Sequence, residues 1–241
     1  MTRDSSTQPL VYGHRGASMH ARQNTVEAFA IAIEHGADGV ELDVRRTRDG
    51  AMIVHHEERA VPNADPFITQ DLKAIKAATP WVPTLDEAWA AIGDSALMNI
   101  EIKNTVGQAD FDQTRRISGQ VVEWIEANAA RERVLVSSFD GIALKAVRDR
   151  DPGIHTGLLA TIAVDPITAI EWATRDGNFS VNLPLATVLG DASRIVEAAR
   201  PVQVLVWTVN DPHAALTLAD AGIGGVFSDD PGLIVAAFAQ R

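Results

Sequence analysis

Seven residues that can do chemistry fall at the ends of apolar, strand-like runs in the first part of this 241-residue chain. His14 and Arg15 follow Leu10–Tyr12, Glu41 and Asp43 lie within Gly39–Val44, His56 follows Ala51–His55, and Glu101 and Lys103 lie in Asn99-Ile-Glu-Ile-Lys. A core has little use for such residues, because buried charge must be paired or bound to a metal. Side chains two apart on a strand share a face. Glu41 and Asp43 therefore point one way, with Val40, Leu42 and Val44 on the other side. Asn99, Glu101 and Lys103 repeat the pattern against Ile100 and Ile102. Carboxylates gathered in this way raise one another's pKa unless a cation sits between them. An all-oxygen set implies a hard divalent ion, Mg2+ or Ca2+, held by Glu41, Asp43 and Glu101. The plainer alternative is a structural network in which Glu41 or Glu101 pairs with Arg15 or Lys103. The same-face repetition on two strands favours the metal.

His14 and His56, at strand ends beside this cluster, suit a general acid and base working near neutral pH. Arg15 and Lys103 supply the positive charge that a phosphate requires, Arg15 through a bidentate fork. Two histidines, two cations and a metal around one anion point to phosphoryl transfer by positioning and charge neutralisation. Trp207 and Phe139 lie near strand ends, where they either contact substrate or pack the rim. Trp89, Trp124 and Trp172 fall on helical patterns and read as packing. Asp229 and Asp230 read as loop and cap residues, and His20, His35, His155 and His213 receive no role.

The elements that must position these residues recur along the whole chain. Strands are expected at Leu10–Tyr12, Gly39–Val44, Leu97–Ile102, Val134–Ser137, Thr156–Leu159, Phe179–Asn182, Val202–Thr208 and Gly225–Phe227, with Ala51–His55 an extra strand beside the second. Amphipathic helices lie between them. Asn24 with Glu27 and Thr84 with Glu87 have the spacing of capping boxes. Asp165, Asp211 and Asp230 each precede a proline at a helix start, and Gly36, Gly93 and Gly222 stand where helices should stop. Alternating strands and helices indicate a parallel α/β fold. The length suits a TIM (β/α)8 barrel, which takes about 250 residues. No Gly-x-Gly-x-x-Gly follows the first strand, as a doubly wound dinucleotide fold would show. The expectation is one barrel domain over residues 1–241, with 1–9 flexible and a short insertion, Glu58 to Pro83, after the second strand.

Composition narrows the partners. A net charge of −11 disfavours nucleic acid. The chain has no cysteine, which rules out disulfides and thiolate chemistry. Residues 1–9 lack an apolar signal segment, and the longest apolar runs, such as Leu233–Ala239, are too short to span a bilayer. A soluble, cytoplasmic protein acting on a small molecule, without nucleic acid or an integral membrane segment, is expected; the oligomeric state stays open.

The motifs His14-Arg-Gly16, Asn24-Thr25, Glu41-Leu-Asp43, Thr47-x-Asp49-Gly50, His56-Glu57, Asn99-Ile-Glu101-Ile-Lys103, Ser137-Ser-Phe139 and Trp207-Thr-Val-Asn210, in this order, resemble the glycerophosphodiester phosphodiesterase family. The resemblance runs from residue 11 to about residue 230. It implies a TIM-barrel hydrolase that releases an alcohol and sn-glycerol 3-phosphate. It further implies metal ligation by Glu41, Asp43 and Glu101, acid/base histidines at His14 and His56, and phosphate contacts from Arg15 and Lys103. The attacking group is water or the substrate's own glycerol hydroxyl. Family spacing from Asp49-Gly50 selects His56 over His55, which is then expected to pack beneath the insertion. Three departures stand out: Arg22-Gln23 replaces Pro-Glu, Glu57 replaces Asp, and the signals usual between Glu57 and Asp65 are blurred. They bear on the leaving group, so a lysophospholipid substrate is one alternative. A non-catalytic barrel that binds a phosphorylated ligand is another.

Overall fold

A computed structural model describes residues 8–240. From the amino end run β1 (Leu10–His14), α1 (Val26–Glu34), β2 (Gly39–Arg46), β3 (Met52–Val54), α2 (Leu72–Ala78), α3 (Leu85–Ile92) and β4 (Leu97–Ile102). Then come α4 (Arg116–Ala127), β5 (Val134–Ser138), α5 (Gly141–Arg150), β6 (His155–Leu159), α6 (Pro166–Arg175) and β7 (Ser180–Pro184). The chain continues through α7 (Leu185–Val188), α8 (Ala192–Ala199), β8 (Gln203–Trp207), α9 (Pro212–Ala221), β9 (Gly225–Ser228) and α10 (Pro231–Ala239).

The strand order β1-β9-β8-β7-β6-β5-β4-β2 is closed by pairing of β1 with β2. All of these pairings are parallel, whereas β3 adds to β2 antiparallel. Eight parallel strands thus form the expected TIM barrel, and β3 is the extra strand. Parallel strands covered on both faces need apolar residues toward the helices. Val40, Leu42, Val44, Ile100 and Ile102 supply them, in the buried layer between strands and helices. The inward faces read differently from bottom to top. Tyr12, Leu135, Leu205 and Phe227 pack together, with the Tyr12 and Phe227 rings stacked at 5.2 Å. Above this apolar floor, at the carboxyl ends of the strands, stand the charged residues.

Register determines which of them meet. His14 is opposite Glu41 across β1 and β2, and Asp43 is opposite Glu101 across β2 and β4. The insertion has its own small core of Ile53, Phe67, Ile75 and Val82. Its helix α2 spans Leu72–Ala78.

Most helix signals act as read. Thr84 and Glu87 complete a capping box, and Asp165, Asp211 and Asp230 cap their helices just ahead of proline. Asn24 does not cap α1. Thr25 takes that place, accepting from the Ala28 amide at 3.2 Å, because the Asn24 side chain is drawn inward to Asp43. Of the segment expected to be flexible, residues 1–7 lie outside the described residues. Gln8 donates to the Phe238 carbonyl at 2.8 Å and Pro9 is buried. No helix among the described residues is long and apolar enough to cross a membrane.

Gly16 shows how tightly the segment after β1 is laid against α1. Its φ is +82°, and a Cβ there would stand 2.6 Å from the Ala28 carbonyl carbon. Gly16→Ala combines left-handed strain with a backbone clash. It is expected to lower stability by about 1–3 kcal/mol or more, read as an earlier midpoint in urea unfolding. An unchanged midpoint would refute this.

Candidate active site

Glu41, Asp43 and Glu101 converge at the mouth of the barrel, their ligand atoms within 4.8 Å of one another. All three are buried, Asp43 completely. Glu41 Oε2 accepts the Arg15 amide at 2.9 Å. Asp43 Oδ2 accepts from Asn24 Nδ2 at 2.7 Å and faces Arg15 Nε at 3.4 Å. Lys103 Nζ donates to Glu101 Oε1 at 2.7 Å and stands 3.3 Å from Asp43 Oδ1. The paired network is therefore real, but it does not satisfy the cluster. Glu41 Oε1 is buried without a hydrogen bond, and so is Asp43 Oδ1, since Lys103 is close to it without hydrogen-bond geometry. Buried carboxylate oxygens left unmatched are costly. A hard divalent cation fits an all-oxygen set with two such atoms.

The electrostatics agree. Burial, with Asp43 and Glu101 nearby, pushes the Glu41 carboxyl well up from its usual range. Burial also raises Glu101, more than Lys103 lowers it. Burial opposes ionisation of Asp43 too, but Lys103, Arg15, His56 and the Asn24 amide hold its pKa to about 2. Lys103 loses hydration on burial, yet the two carboxylates raise its pKa. Its ammonium has three donors and Arg15 has five, so neither is exhausted by these contacts.

The two histidines are oriented through the same ring atom. His14 Nδ1 meets Asp229 Oδ1 at 2.7 Å. Asp229 is fixed in turn by Ser18 Oγ at 2.9 Å and Asn210 Nδ2 at 2.8 Å. Burial would raise the Asp229 pKa, but the His14 and Asn210 hydrogen bonds bring it to about 2. The reading of Asp229 as a plain loop residue is thus incomplete, because it is the partner of His14. His56 Nδ1 meets Glu57 Oε1 at 2.6 Å, so Glu57, one of the departures, takes the corresponding place. Burial lowers the His56 pKa against the pull of Asp43, which is near enough to be felt. His55 is buried, with its ring 5.2 Å from that of Phe67 and 5.5 Å from that of Trp81. It lies beneath the insertion, as expected.

Arg45 belongs to the site and was not singled out from the sequence. It continues the Glu41, Asp43 alternation by one more step, and that was the available signal. Its side chain is fully buried. Nε donates to the His55 and His56 carbonyls at 3.1 Å each, Nη2 also reaches the His56 carbonyl, and Nη1 pairs with the buried Asp110. Arg45 thereby anchors the His55-His56 backbone. Farther round the rim, Trp207 donates to the Asn182 carbonyl at 3.2 Å and meets Phe139 edge to face at 6.0 Å. Trp207 packs against the apolar floor of Tyr12, Leu135, Leu205 and Phe227. Arg22 lies 4.2 Å over the Trp81 ring, lining a cavity of about 360 Å³ with Lys76 and Glu87. Gln23 accepts from Arg15 Nη1 at 2.8 Å.

Removal of Arg45 should be expensive. Arg45→Met leaves Asp110 buried without its cation and is expected to cost about 3–5 kcal/mol, measured by urea unfolding. Arg45→Met with Asp110→Leu should recover part of the loss. A single variant as stable as the parent would contradict this account.

Comparison with known proteins accords with this geometry. The family model described as the glycerophosphoryl diester phosphodiesterase family matches residues 14–233. The chain is 30% identical over 243 residues to a glycerophosphodiester phosphodiesterase of Caldanaerobacter subterraneus subsp. tengcongensis, covering 94% of this chain and 96% of that one. The crystal structure of a glycerophosphodiester phosphodiesterase from Thermotoga maritima superposes with a TM-score of 0.79 at 30% identity, over 95% of this chain and 98% of that one. An Oleispira antarctica phosphodiesterase, solved in complex with the product sn-glycerol-3-phosphate, shares the fold with a TM-score of 0.79 at 24% identity, over 96% and 97% of the two chains. This chain belongs to the glycerophosphoryl diester phosphodiesterase family.

Proposed function

We propose that this chain, as one barrel domain, hydrolyses glycerophosphodiesters to an alcohol and sn-glycerol 3-phosphate, using His14 and His56 as acid and base. The observation that carries the proposal is the matched orientation of the two histidines. Each ring is tied through Nδ1 to a carboxylate, Asp229 or Glu57, which leaves Nε2 for proton transfer. A binding module has no need of two imidazoles held in this way. Glu41, Asp43 and Glu101 would hold Mg2+ or Ca2+, which when bound supplies charge neutralisation at a phosphodiester oxygen.

Arg15 and Lys103 orient the phosphodiester through their remaining donors and offset its negative charge. One histidine removes the proton of the attacking hydroxyl, that of water, which gives glycerol 3-phosphate directly, or of the substrate's glycerol, which gives a cyclic phosphate that a water then opens to glycerol 3-phosphate. The other gives a proton to the departing alkoxide, so the bond breaks without releasing a strong base. Asp229 and Glu57 each stabilise the imidazolium that its histidine becomes on accepting a proton, and they hold the tautomer between turnovers. Trp207, edge-on to Phe139, offers an apolar wall for the glycerol or alcohol carbons. The substrate is a small molecule, and a cytoplasmic setting completes the reading, open to a check by cell fractionation.

The test is release of glycerol 3-phosphate from glycerophosphocholine and glycerophosphoethanolamine, with lysophosphatidylcholine as a parallel substrate. Glycerophosphodiesters should be turned over, and a preference for the lysolipid would transfer the chemistry to that class. Excess EDTA should abolish activity, with Mg2+ or Ca2+ restoring it; full activity in chelator would sink the metal assignment. His14→Ala and His56→Ala should each lower kcat by about 10²–10⁴-fold, while His55→Ala retains most of it. The reverse order for His55 and His56 would show that the wrong neighbour was chosen.

A further inference from the structure

We propose that His20, His35 and Asp230 form a Zn2+-binding site on the barrel rim, separate from the three-carboxylate cluster. The three residues come from the segment after β1, the end of α1 and the start of α10, yet their ligand atoms lie within 4.8 Å of one another. His20 Nε2 is 3.1 Å from Asp230 Oδ1. In a tetrahedral zinc site with bonds of about 2.0–2.1 Å, neighbouring donor atoms stand about 3.3 Å apart. The His20–Asp230 edge is already close to that spacing. The His35 ring, 5.0 Å from that of His20 and nearly perpendicular to it at 84°, completes the third corner by a small movement of an exposed side chain.

The surroundings make room for this arrangement. At Gly232, in the first turn of α10, a Cβ would lie 3.1 Å from both His35 Cβ and Nδ1. Glycine there lets the His35 ring rest against the helix that carries Asp230. An isolated exposed pair such as His20 with Asp230 contributes little by itself. A metal shared among three elements would contribute more, because it binds only the folded arrangement. Two imidazole nitrogens and one carboxylate oxygen form a borderline donor set that suits Zn2+, whereas Mg2+ and Ca2+ take oxygen. The site is therefore chemically distinct from Glu41, Asp43 and Glu101.

Its position gives it a use. The segment that holds His20 also donates Ser18 Oγ to Asp229 Oδ1 at 2.9 Å and the Met19 amide to the Asp229 carbonyl at 3.0 Å. Asp229 is in turn the partner of His14. Zinc at His20, His35 and Asp230 would fasten this segment to the corner between β9 and α10, next to the residues that steady His14. The inference does not depend on the hydrolase reading, and binding can be measured without turnover.

Isothermal titration with Zn2+, in Mg2+ sufficient to fill the carboxylate cluster, is the decisive measurement. One Zn2+ per chain is expected for the unaltered protein. Loss of a direct ligand should weaken binding at least as much as loss of a supporting residue does, about 10–100-fold, in both His20→Ala and His35→Ala. Zn2+ should raise the thermal midpoint of the unaltered protein and not that of His35→Ala. Far-UV circular dichroism and unchanged Mg2+-supported turnover would confirm that His35→Ala is folded. Equal Zn2+ affinity in the unaltered protein and His35→Ala would overturn the proposal, as would Zn2+ binding that disappears one for one as Mg2+ is added.

Discussion

Three carboxylates brought within 4.8 Å of one another and withdrawn from water place a demand on everything around them. Removing charge from solvent is costly, and like charges add to the cost. The barrel meets part of that demand with Lys103 between Glu101 and Asp43, with Arg15 against Asp43, and with the Asn24 amide. It leaves Glu41 Oε1 and Asp43 Oδ1 without hydrogen bonds. A fully balanced cluster would be a structural network and nothing more. The imbalance is what makes the site receptive to a cation. At Glu41 and Glu101 burial prevails and raises the carboxyls, whereas at Asp43 Lys103, Arg15, His56 and the Asn24 amide together outweigh it.

The segment around His56 meets a different constraint. An imidazole on a loop holds one position only when its backbone is fixed as well as its ring. Arg45 reaches the His55 and His56 carbonyls from below, and His55 itself is wedged against Phe67 and Trp81. The insertion thus acts through packing: its small core seats His55, and His56 follows from its neighbour's burial. Adjacent histidines, chemically identical, have opposite surroundings: one lies under apolar rings and the other beside Glu57.

How much of this was legible in the sequence depended on the range of the interaction. Alternation along a strand is local, so the faces of Glu41, Asp43, Glu101 and Lys103 could be read directly, and the βα repeat gave the barrel. Arg45 obeys the same alternation, but neither its type nor its spacing names the partners it reaches, the His55 and His56 carbonyls and Asp110. Asn24 illustrates competition: its type and spacing suit a helix cap, but a buried carboxylate is the stronger claimant, and Thr25 caps α1 instead. Asp229 could not be paired with His14 by any local rule, because 215 residues separate them. His20, His35 and Asp230 were scattered in the same way. Contacts of that kind exist only after β1 lies beside β9.

That closure has a bearing on how the protein is made. β1 leaves the ribosome well before β9, so His14 emerges long before the aspartate that fixes its tautomer. A nascent chain that already contains every carboxylate of the cluster still lacks an oriented His14. The orientation that Asp229 gives His14 is therefore withheld until β1 and β9 have found each other, so closing the barrel and seating that imidazole are one event.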